Sequence, residues 1–245
     1  MIHLIIKRQD SPDSKPYTQE FMVPVTKNMN VVTALMEIKK NPVTKDGQTV
    51  NPVAWDCNCL EEVCGACSMR INGKARQACS ALIADLEQPI KLEPLTKFPV
   101  MRDLIVDRSK MFEALKKLKA WVDIDGSFDV GRGPRLPRHK QEEVYPISKC
   151  MTCGCCLEVC PNYDKDADFL GPGPIAQVKL FNTHPIGNMQ KADRLEVLKE
   201  KGGIASCGNA QNCVQACPKQ IPLTDALGKL NREVNIFTLS RFFDF

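Results

Sequence analysis

The chain has 245 residues, 43% hydrophobic and 25% charged, an ordinary globular composition that excludes disordered and collagen-like classes. Thirty-three Lys and Arg against 29 Asp and Glu leave a formal charge of +4, too small an excess to support a nucleic-acid partner from bulk charge. The abnormal number is 13 cysteines.

In chain order, MIHLIIKRQDSPDS carries a short apolar run broken by Lys7 and Arg8, without the charged leader and small-residue cleavage site of a signal peptide. An Arg- and Ser-rich transit segment is missing too, and no stretch approaches the roughly 18 continuous apolar residues of a membrane span. The expectation is a cytoplasmic chain whose cysteines are metal ligands, since a reducing compartment disfavours disulfides and an odd number of thiols could not all pair within the chain. Ile2, Leu4 and Ile6 alternate, as do Phe21, Val23 and Val25, predicting two half-buried strands. NVVTALMEIKK from Asn30 predicts a short helix. Asn72-Gly73 between SMRI and KARQAC is a two-residue hairpin turn that returns Cys79 toward the cysteines before it. This half reads as a small α+β unit.

The first cysteine group is Cys57, Cys59, Cys64, Cys67 and Cys79. Cys59-x4-Cys64-x2-Cys67 with Cys79 further on has the spacing by which plant-type ferredoxins hold a 2Fe-2S cluster through four thiolates. Gly65 and Ala66 are small enough to let backbone N–H groups turn toward the sulfurs. A structural zinc site is the competitor, but zinc sites usually use two separate C-x2-4-C knuckles, and here three ligands share one loop. Cys57 stands x6 from Cys64 and is left out of the ligand set.

After residue 100 the pattern turns helical. Met111, Leu115, Leu118 and Val122 recur at helical spacing, as do Leu223, Leu227, Leu230 and Val234, and a third helix, ADRLEVLKEK, stops at Gly202-Gly203. GRGPRLPRHK reads as an irregular connection; its Gly131 and Gly133 follow no strand and make no phosphate loop. The basic face of RSKMFEALKKLK reads as solvated, and Trp55 and Trp121 as packing residues.

Cys150-x2-Cys153-x2-Cys156-x3-Cys160-Pro161 is the bacterial ferredoxin run, in which the fourth cysteine, before proline, ligates the other cluster. Cys207-x5-Cys213-x3-Cys217-Pro218 fits the same template with Ala210 in place of the second cysteine. The crossing rule then gives Cys150, Cys153, Cys156 and Cys217 as a complete 4Fe-4S set and Cys160, Cys207 and Cys213 as a three-thiolate set suited to 3Fe-4S. A 4Fe-4S cluster with an open iron competes at the second set, but no acid-base group converges on it in the sequence. Cys57 and Cys155 remain as packing residues. C-x-x-C-H haem attachment is absent, and His3, His139 and His184 lie away from the cysteine runs, which removes Rieske ligation. No nucleophile or base is needed for an electron wire, so no catalytic residue is assigned.

A plant-type 2Fe-2S domain followed by a bacterial-ferredoxin-like domain with this ligand gap resembles the iron-sulfur subunit of succinate:quinone oxidoreductase and the related fumarate reductases. The resemblance rests on WDCNCLEEVCGACSMRINGKARQAC, SKCMTCGCCLEVCPN and SCGNAQNCVQACPKQIPLTDA, with MRDLIVDRSKMFEALKKLKAW matching the connecting segment. It implies an α+β chain with a plant-type 2Fe-2S ferredoxin-like (β-grasp) domain over 1–102 and a mainly helical bacterial-ferredoxin-like domain over 103–245. It implies further a flavoprotein partner with FAD and the dicarboxylate site, and a haem-containing membrane anchor that binds quinone. The chain would then lie peripherally on the cytoplasmic face of the cytoplasmic membrane, with no nucleic acid involved. One departure stands out. Ubiquinone-reducing members usually carry a Trp shortly after the Cys-Pro of the second run and a His directly after the first cysteine of the third; CPNYDKDADF has no Trp, and Gly208 holds the His position. The wording is closer to the menaquinone-linked branch with a single-chain dihaem anchor. The alternatives are a fumarate reductase subunit working in reverse, another multi-cluster electron carrier, and a zinc-stabilised interaction module.

Overall fold

A computed structural model of the chain describes residues 1–123 and 135–243. The fold is α+β. Its residues divide into two compact units, Met1–Arg108 with Met151–Glu158, and Ser109–Cys150 with Val159–Phe245.

The first unit is built on a five-stranded sheet. Strands β1 (Ile2–Arg8), β2 (Tyr17–Val23), β3 (Ser68–Ile71), β4 (Lys74–Gln77) and β5 (Ile90–Glu93) lie in the order β2-β1-β5-β3-β4. β1 pairs antiparallel with β2, Ile2 opposite Val23, and parallel with β5, Leu4 opposite Ile90. Alternation places Ile2, Leu4 and Ile6 in the core with Phe21, Val23, Ile90 and Leu92, under helix α1 (Val31–Lys40). Val25 does not extend β2: it follows Pro24, whose missing N–H cannot serve a ladder, and it is exposed. Asn30 caps α1 by accepting the Thr33 N–H at 2.9 Å, and its Nδ2 donates to the Cys79 carbonyl at 2.9 Å, tying the helix to the end of the β3–β4 hairpin. Asn72 and Gly73 take φ of 48° and 79°, the paired positive values that a two-residue hairpin turn needs. A two-stranded ribbon, β6 (Val100–Arg102) and β7 (Ile105–Val106), completes the unit.

Buried in this unit is an ion pair. Arg8 Nε donates to Asp103 Oδ1 at 2.8 Å, and the guanidinium also reaches Gln19 Oε1 and the Asn51 carbonyl. Asp103 in turn accepts the Gln9 and Ala54 N–H groups, so one buried carboxylate fastens three strand and loop ends. The stretch Met151–Glu158 joins the same unit through Glu158, whose carboxylate accepts the Thr96 and Lys97 N–H groups at 3.0 and 3.1 Å.

The second unit is helical: α2 (Ser109–Lys117), α3 (Arg138–Ser148), α5 (Pro172–Thr183), α6 (Lys191–Lys199), the one-turn α7 (Asn212–Gln215) and α8 (Leu223–Phe242); the one-turn α4 (Cys155–Glu158) begins in the first unit's portion of the chain. α5 packs against α3 and α8, and α6 against α8. In α8 the expected stripe of Leu223, Leu227, Leu230 and Val234 is buried. α2 stops at Lys117, short of the predicted Val122, because Lys119 turns to φ of 46° and closes the helix end; Met111, Ala114 and Leu118 are its buried face. α6 likewise ends at Lys199, before Gly202-Gly203. The connection GRGPRLPRHK is corrected at its end, since α3 begins at Arg138; Gly131 and Gly133 lie outside the described residues. No helix among the described residues is long and apolar enough to cross a membrane.

Replacing Arg8 by Met leaves the Asp103 carboxylate buried without its counter-charge, and urea unfolding of the chain should report a loss of about 3–5 kcal/mol. Adding Asp103→Asn should recover part of it, because the amide oxygen still accepts the Gln9 N–H while the stranded charge is gone.

Candidate metal-cluster sites

The sequence from Cys57 to Cys79 forms a thiol group in the first unit. Cys59, Cys64, Cys67 and Cys79 come together at the open end of the β3–β4 hairpin: Cys67 directly precedes β3, Cys79 lies two residues past β4, and the Ala78 N–H donates to the Cys67 carbonyl at 3.1 Å. The loop between Cys59 and Cys67 is held in an unusual backbone, with φ of 62° at Leu60, 54° at Glu62 and 72° at Gly65. Such reversals turn successive N–H groups inward. The N–H groups of Glu61, Val63 and Cys64 all donate to the Cys59 sulfur at 3.3–3.4 Å, and the Ala66 N–H donates to the Cys64 sulfur. These donors pull the Cys59 thiol down to about 7, whereas burial beside Cys67 pushes Cys79 up to about 11.

Cys57 lies near Cys64 and Cys79, and burial followed by the Asp56 charge pushes its thiol up. Among the described residues it receives no backbone donor of the kind that surrounds Cys59.

The second cysteine run and the third repeat one backbone pattern at a constant offset of 57 residues. The Cys150 N–H donates to the Ile147 carbonyl at 3.1 Å, and the Cys207 N–H to the Ile204 carbonyl at 3.1 Å. Thr152 and Gly154, with φ of 49° and 87°, flank Cys153; Asn209 and Gln211, with φ of 52° and 63°, flank Ala210. One helical turn follows in each, α4 after Gly154 and α7 after Gln211, and the Leu157 and Val214 N–H groups close on the Gly154 and Gln211 carbonyls at 3.0 Å. Tyr163 N–H to the Cys160 carbonyl is then matched by Gln220 N–H to the Cys217 carbonyl. Ala210 therefore occupies the backbone position that Cys153 holds in the other run.

Within the second unit Cys160, Cys207 and Cys213 line one small concavity with Ala210 and Gly208. Burial and the neighbouring Cys160 and Cys207 push the Cys213 thiol up to about 11. A Cβ at Gly208 would meet Asn162 Oδ1 at 3.1 Å, so a larger residue there requires the Asn162 side chain to shift by a few tenths of an ångström. Of the other set, Cys153 and Cys156 belong to the first unit and Cys150 and Cys217 to the second. The hydrogen bond with Cys155 draws Cys153 down to about 7, and the Arg108 charge adds to it. Cys155 is fully buried, and its sulfur accepts from Gln77 Nε2 at 3.6 Å. All thirteen thiols are unlinked by disulfides, and among the described residues no three or more His, Cys, Asp or Glu side chains are grouped as ligands of a lone metal ion.

Two residues that sequence reasoning missed hold these loops. Gln77, wholly buried, donates from Nε2 to Ser68 Oγ at 2.8 Å and accepts on Oε1 from the Cys67 thiol at 3.6 Å, so one amide touches both Cys67 and Cys155. Arg108 donates to the Gly65 and Ala66 carbonyls at 2.8 and 2.9 Å, clamping the loop from outside. A polar residue inside a strand pattern was the only signal for Gln77, and Arg108 carried none. The donor set fits iron-sulfur clusters: soft sulfur groups, with backbone N–H groups directed at the Cys59, Cys64 and Cys217 sulfurs. Gly65→Ala should test that loop. A Cβ there would stand 2.7 Å from the Met151 carbonyl oxygen and 2.9 Å from Cys153, at a φ that strains any L side chain. The reduced 2Fe-2S paramagnetic signal should fall sharply in purified Gly65→Ala protein, while Gly228→Ala, in α8, whose Cβ meets nothing within 4 Å and whose φ is not positive, should keep it.

Residues 3–113 match the family model of the 2Fe-2S iron-sulfur cluster binding domain, and residues 146–221 that of the 4Fe-4S dicluster domain. The chain is 58% identical to the succinate dehydrogenase iron-sulfur subunit of Bacillus subtilis (strain 168), over 99% of this chain and 96% of that protein. It is 32% identical to the fumarate reductase iron-sulfur subunit of Mycobacterium tuberculosis (strain CDC 1551 / Oshkosh), over 90% and 85% of the two chains. A chain of the Mycobacterium smegmatis Sdh1 complex in the apo form superposes with a TM-score of 0.75 at 26% identity, covering 95% of each chain. Thiol loops of this geometry and likeness of this extent lead to one assignment: the chain belongs to the iron-sulfur subunits of the succinate dehydrogenase and fumarate reductase family.

Proposed function

We propose that this chain is the electron-transfer subunit that connects an FAD-containing flavoprotein with a quinone held by a haem-containing membrane anchor. In this reading 2Fe-2S is held by Cys59, Cys64, Cys67 and Cys79, 4Fe-4S by Cys150, Cys153, Cys156 and Cys217, and 3Fe-4S by Cys160, Cys207 and Cys213, within domains 1–102 and 103–245. When bound, the clusters supply one-electron relays, which is the chemistry a two-electron dicarboxylate site needs to communicate with a distant quinone.

The observation that carries the three-cluster reading is the 57-residue backbone repeat around Cys153 and Ala210. The same flanking φ values and the same closing hydrogen bonds support an equivalent ligand position, and a methyl group there offers no thiolate to a fourth iron. The inward N–H groups support Cys59 over Cys57 as the first ligand, because donors that favour the thiolate also favour its bond to iron. Burial of Cys155 supports its role as a packing residue that fixes Cys153 through their sulfur contact. The likeness to the Bacillus subtilis subunit supports succinate oxidation, and the absent Trp together with Gly208 supports menaquinone as the acceptor; the family resemblance supports the cytoplasmic face of the membrane as its location in this reading.

Anaerobically purified protein should contain about nine iron atoms per chain and show an oxidised 3Fe-4S resonance. Ala210→Cys should convert that site toward 4Fe-4S and lower its potential, by adding a thiolate and its negative charge; an unchanged 3Fe signal would refute the ligand alignment. Cys57→Ser and Cys155→Ser should keep all three cluster signals, whereas Cys59→Ser and Cys153→Ser should each remove or alter one.

The second check concerns the acceptor. The isolated chain should show no succinate or fumarate turnover. The assembled complex should reduce menaquinone analogues in preference to ubiquinone analogues; the opposite preference would overturn the branch assignment and leave the cluster assignment standing.

A further inference from the structure

Gln77 ends β4 directly opposite Ser68, the first residue of β3, and both are buried. Their neighbours Cys67 and Cys155 are buried too, and all four belong to the first unit.

The direction of each hydrogen bond in this group follows from its ends. The Ser68 hydroxyl donates to the Gly65 carbonyl at 2.8 Å. A carbonyl only accepts, so Ser68 has no proton left to offer Gln77 and must accept from it. That requirement turns Nε2 toward Ser68 Oγ at 2.8 Å and the Cys155 sulfur at 3.6 Å, and leaves Oε1 facing the Cys67 sulfur at 3.6 Å. The arrangement is satisfied only while Cys67 carries the proton that Oε1 accepts.

Ligation of iron removes that proton, because the ligand is the thiolate. In this orientation the negative end of a wholly buried amide would then face a sulfur that bears negative charge and no hydrogen. Turning the amide over about its last bond exchanges Oε1 with Nε2 and repairs each contact. Nε2 comes to the Cys67 sulfur as a donor, while Oε1 comes to Ser68 and Cys155, whose hydroxyl and thiol can both donate. The Ser68 hydroxyl can leave its present acceptor without stranding it. The Gly65 carbonyl keeps Arg108 Nη1 as a second donor at 2.8 Å.

We infer that Gln77 turns its side-chain amide over when the 2Fe-2S cluster is in place and donates to the Cys67 sulfur, as a positioning residue that raises the potential of that cluster. The inference rests on the reading of Cys67 as a ligand. A donor at a ligand sulfur favours the more negative, reduced state, and its burial leaves the effect weakly screened.

Potentiometric titration of the reduced 2Fe-2S paramagnetic signal in the purified complex tests the sign. Gln77→Met keeps the length of the side chain and removes the donor. It should disfavour reduction about three- to tenfold, or about 30–60 mV more negative at about 59 mV per tenfold for one electron. An unchanged midpoint would overturn the inference, and so would a more positive one, which is the sign expected if Oε1 still faced the sulfur. A second measurement needs no variant. In wild-type complex carrying nitrogen-15 in its glutamine side chains, pulsed paramagnetic resonance of the reduced cluster should show an isotropic coupling to that nitrogen, and its absence would overturn the inference whether or not Gln77→Met takes up its cluster. Cys67→Ser checks the ligand reading separately: an unaltered 2Fe-2S signal would overturn that reading, whereas an altered signal without the nitrogen coupling in wild type would overturn the turning of Gln77 alone.

Discussion

The constraint on which the cysteine-rich loops depend is the need to aim backbone N–H donors at sulfur in places where no side chain supplies them. The backbone can do this only by reversing its local hand. Leu60, Glu62, Thr152, Asn209 and Gln211 all carry positive φ without being glycine, each at a cost of order 1–3 kcal/mol unless local bonding offsets it. These residues fall in the cysteine-rich loops, and the result is visible at Cys59, whose sulfur accepts three N–H groups from the five residues after it.

Loops under that strain need external support, and in the first unit it comes from polar groups placed at fixed points. Arg108 holds the Gly65 and Ala66 carbonyls; Glu158 holds the Thr96 and Lys97 N–H groups; Gln77 binds Ser68 and reaches two sulfurs. The Arg8–Asp103 pair does the same for the strand ends and for Ala54, just ahead of the first cysteines. Buried polar groups of this sort contribute little net stability when satisfied and are severely destabilising when half removed, so they specify one arrangement. The apolar core of Leu4, Ile6, Leu35, Ile71, Ile90 and Leu92 supplies the stability against which the loops are held.

The two ferredoxin-type runs show how one backbone pattern can recur under a changed side chain. Reversal of φ on both sides of position 153 recurs on both sides of position 210, and the helical turn and closing hydrogen bonds follow in each. The backbone pattern is thus kept where the side chain has changed from cysteine to alanine. A side chain can change at such a position without disturbing the path of the chain.

By itself the sequence determined the features that rest on spacing and local conformational preference. The C-x4-C-x2-C and C-x2-C-x2-C-x3-C-P runs, the Asn72-Gly73 turn, the strand alternation through Ile2, Leu4 and Ile6, and the α8 stripe were all legible, because each follows from residues close in the chain. Less legible were α3 and α5. α3 is polar and contains Pro146; α5 opens with Pro172-Gly173-Pro174 and is buried on most sides, so neither displays a one-faced apolar stripe, and only packing among the helices makes them helical. The tertiary structure alone decided that Met151–Glu158 joins the first unit and that Gln77 and Arg108 support the thiol loops. Those facts depend on groups tens of residues apart meeting at hydrogen-bond distance, and no local pattern encodes such a meeting.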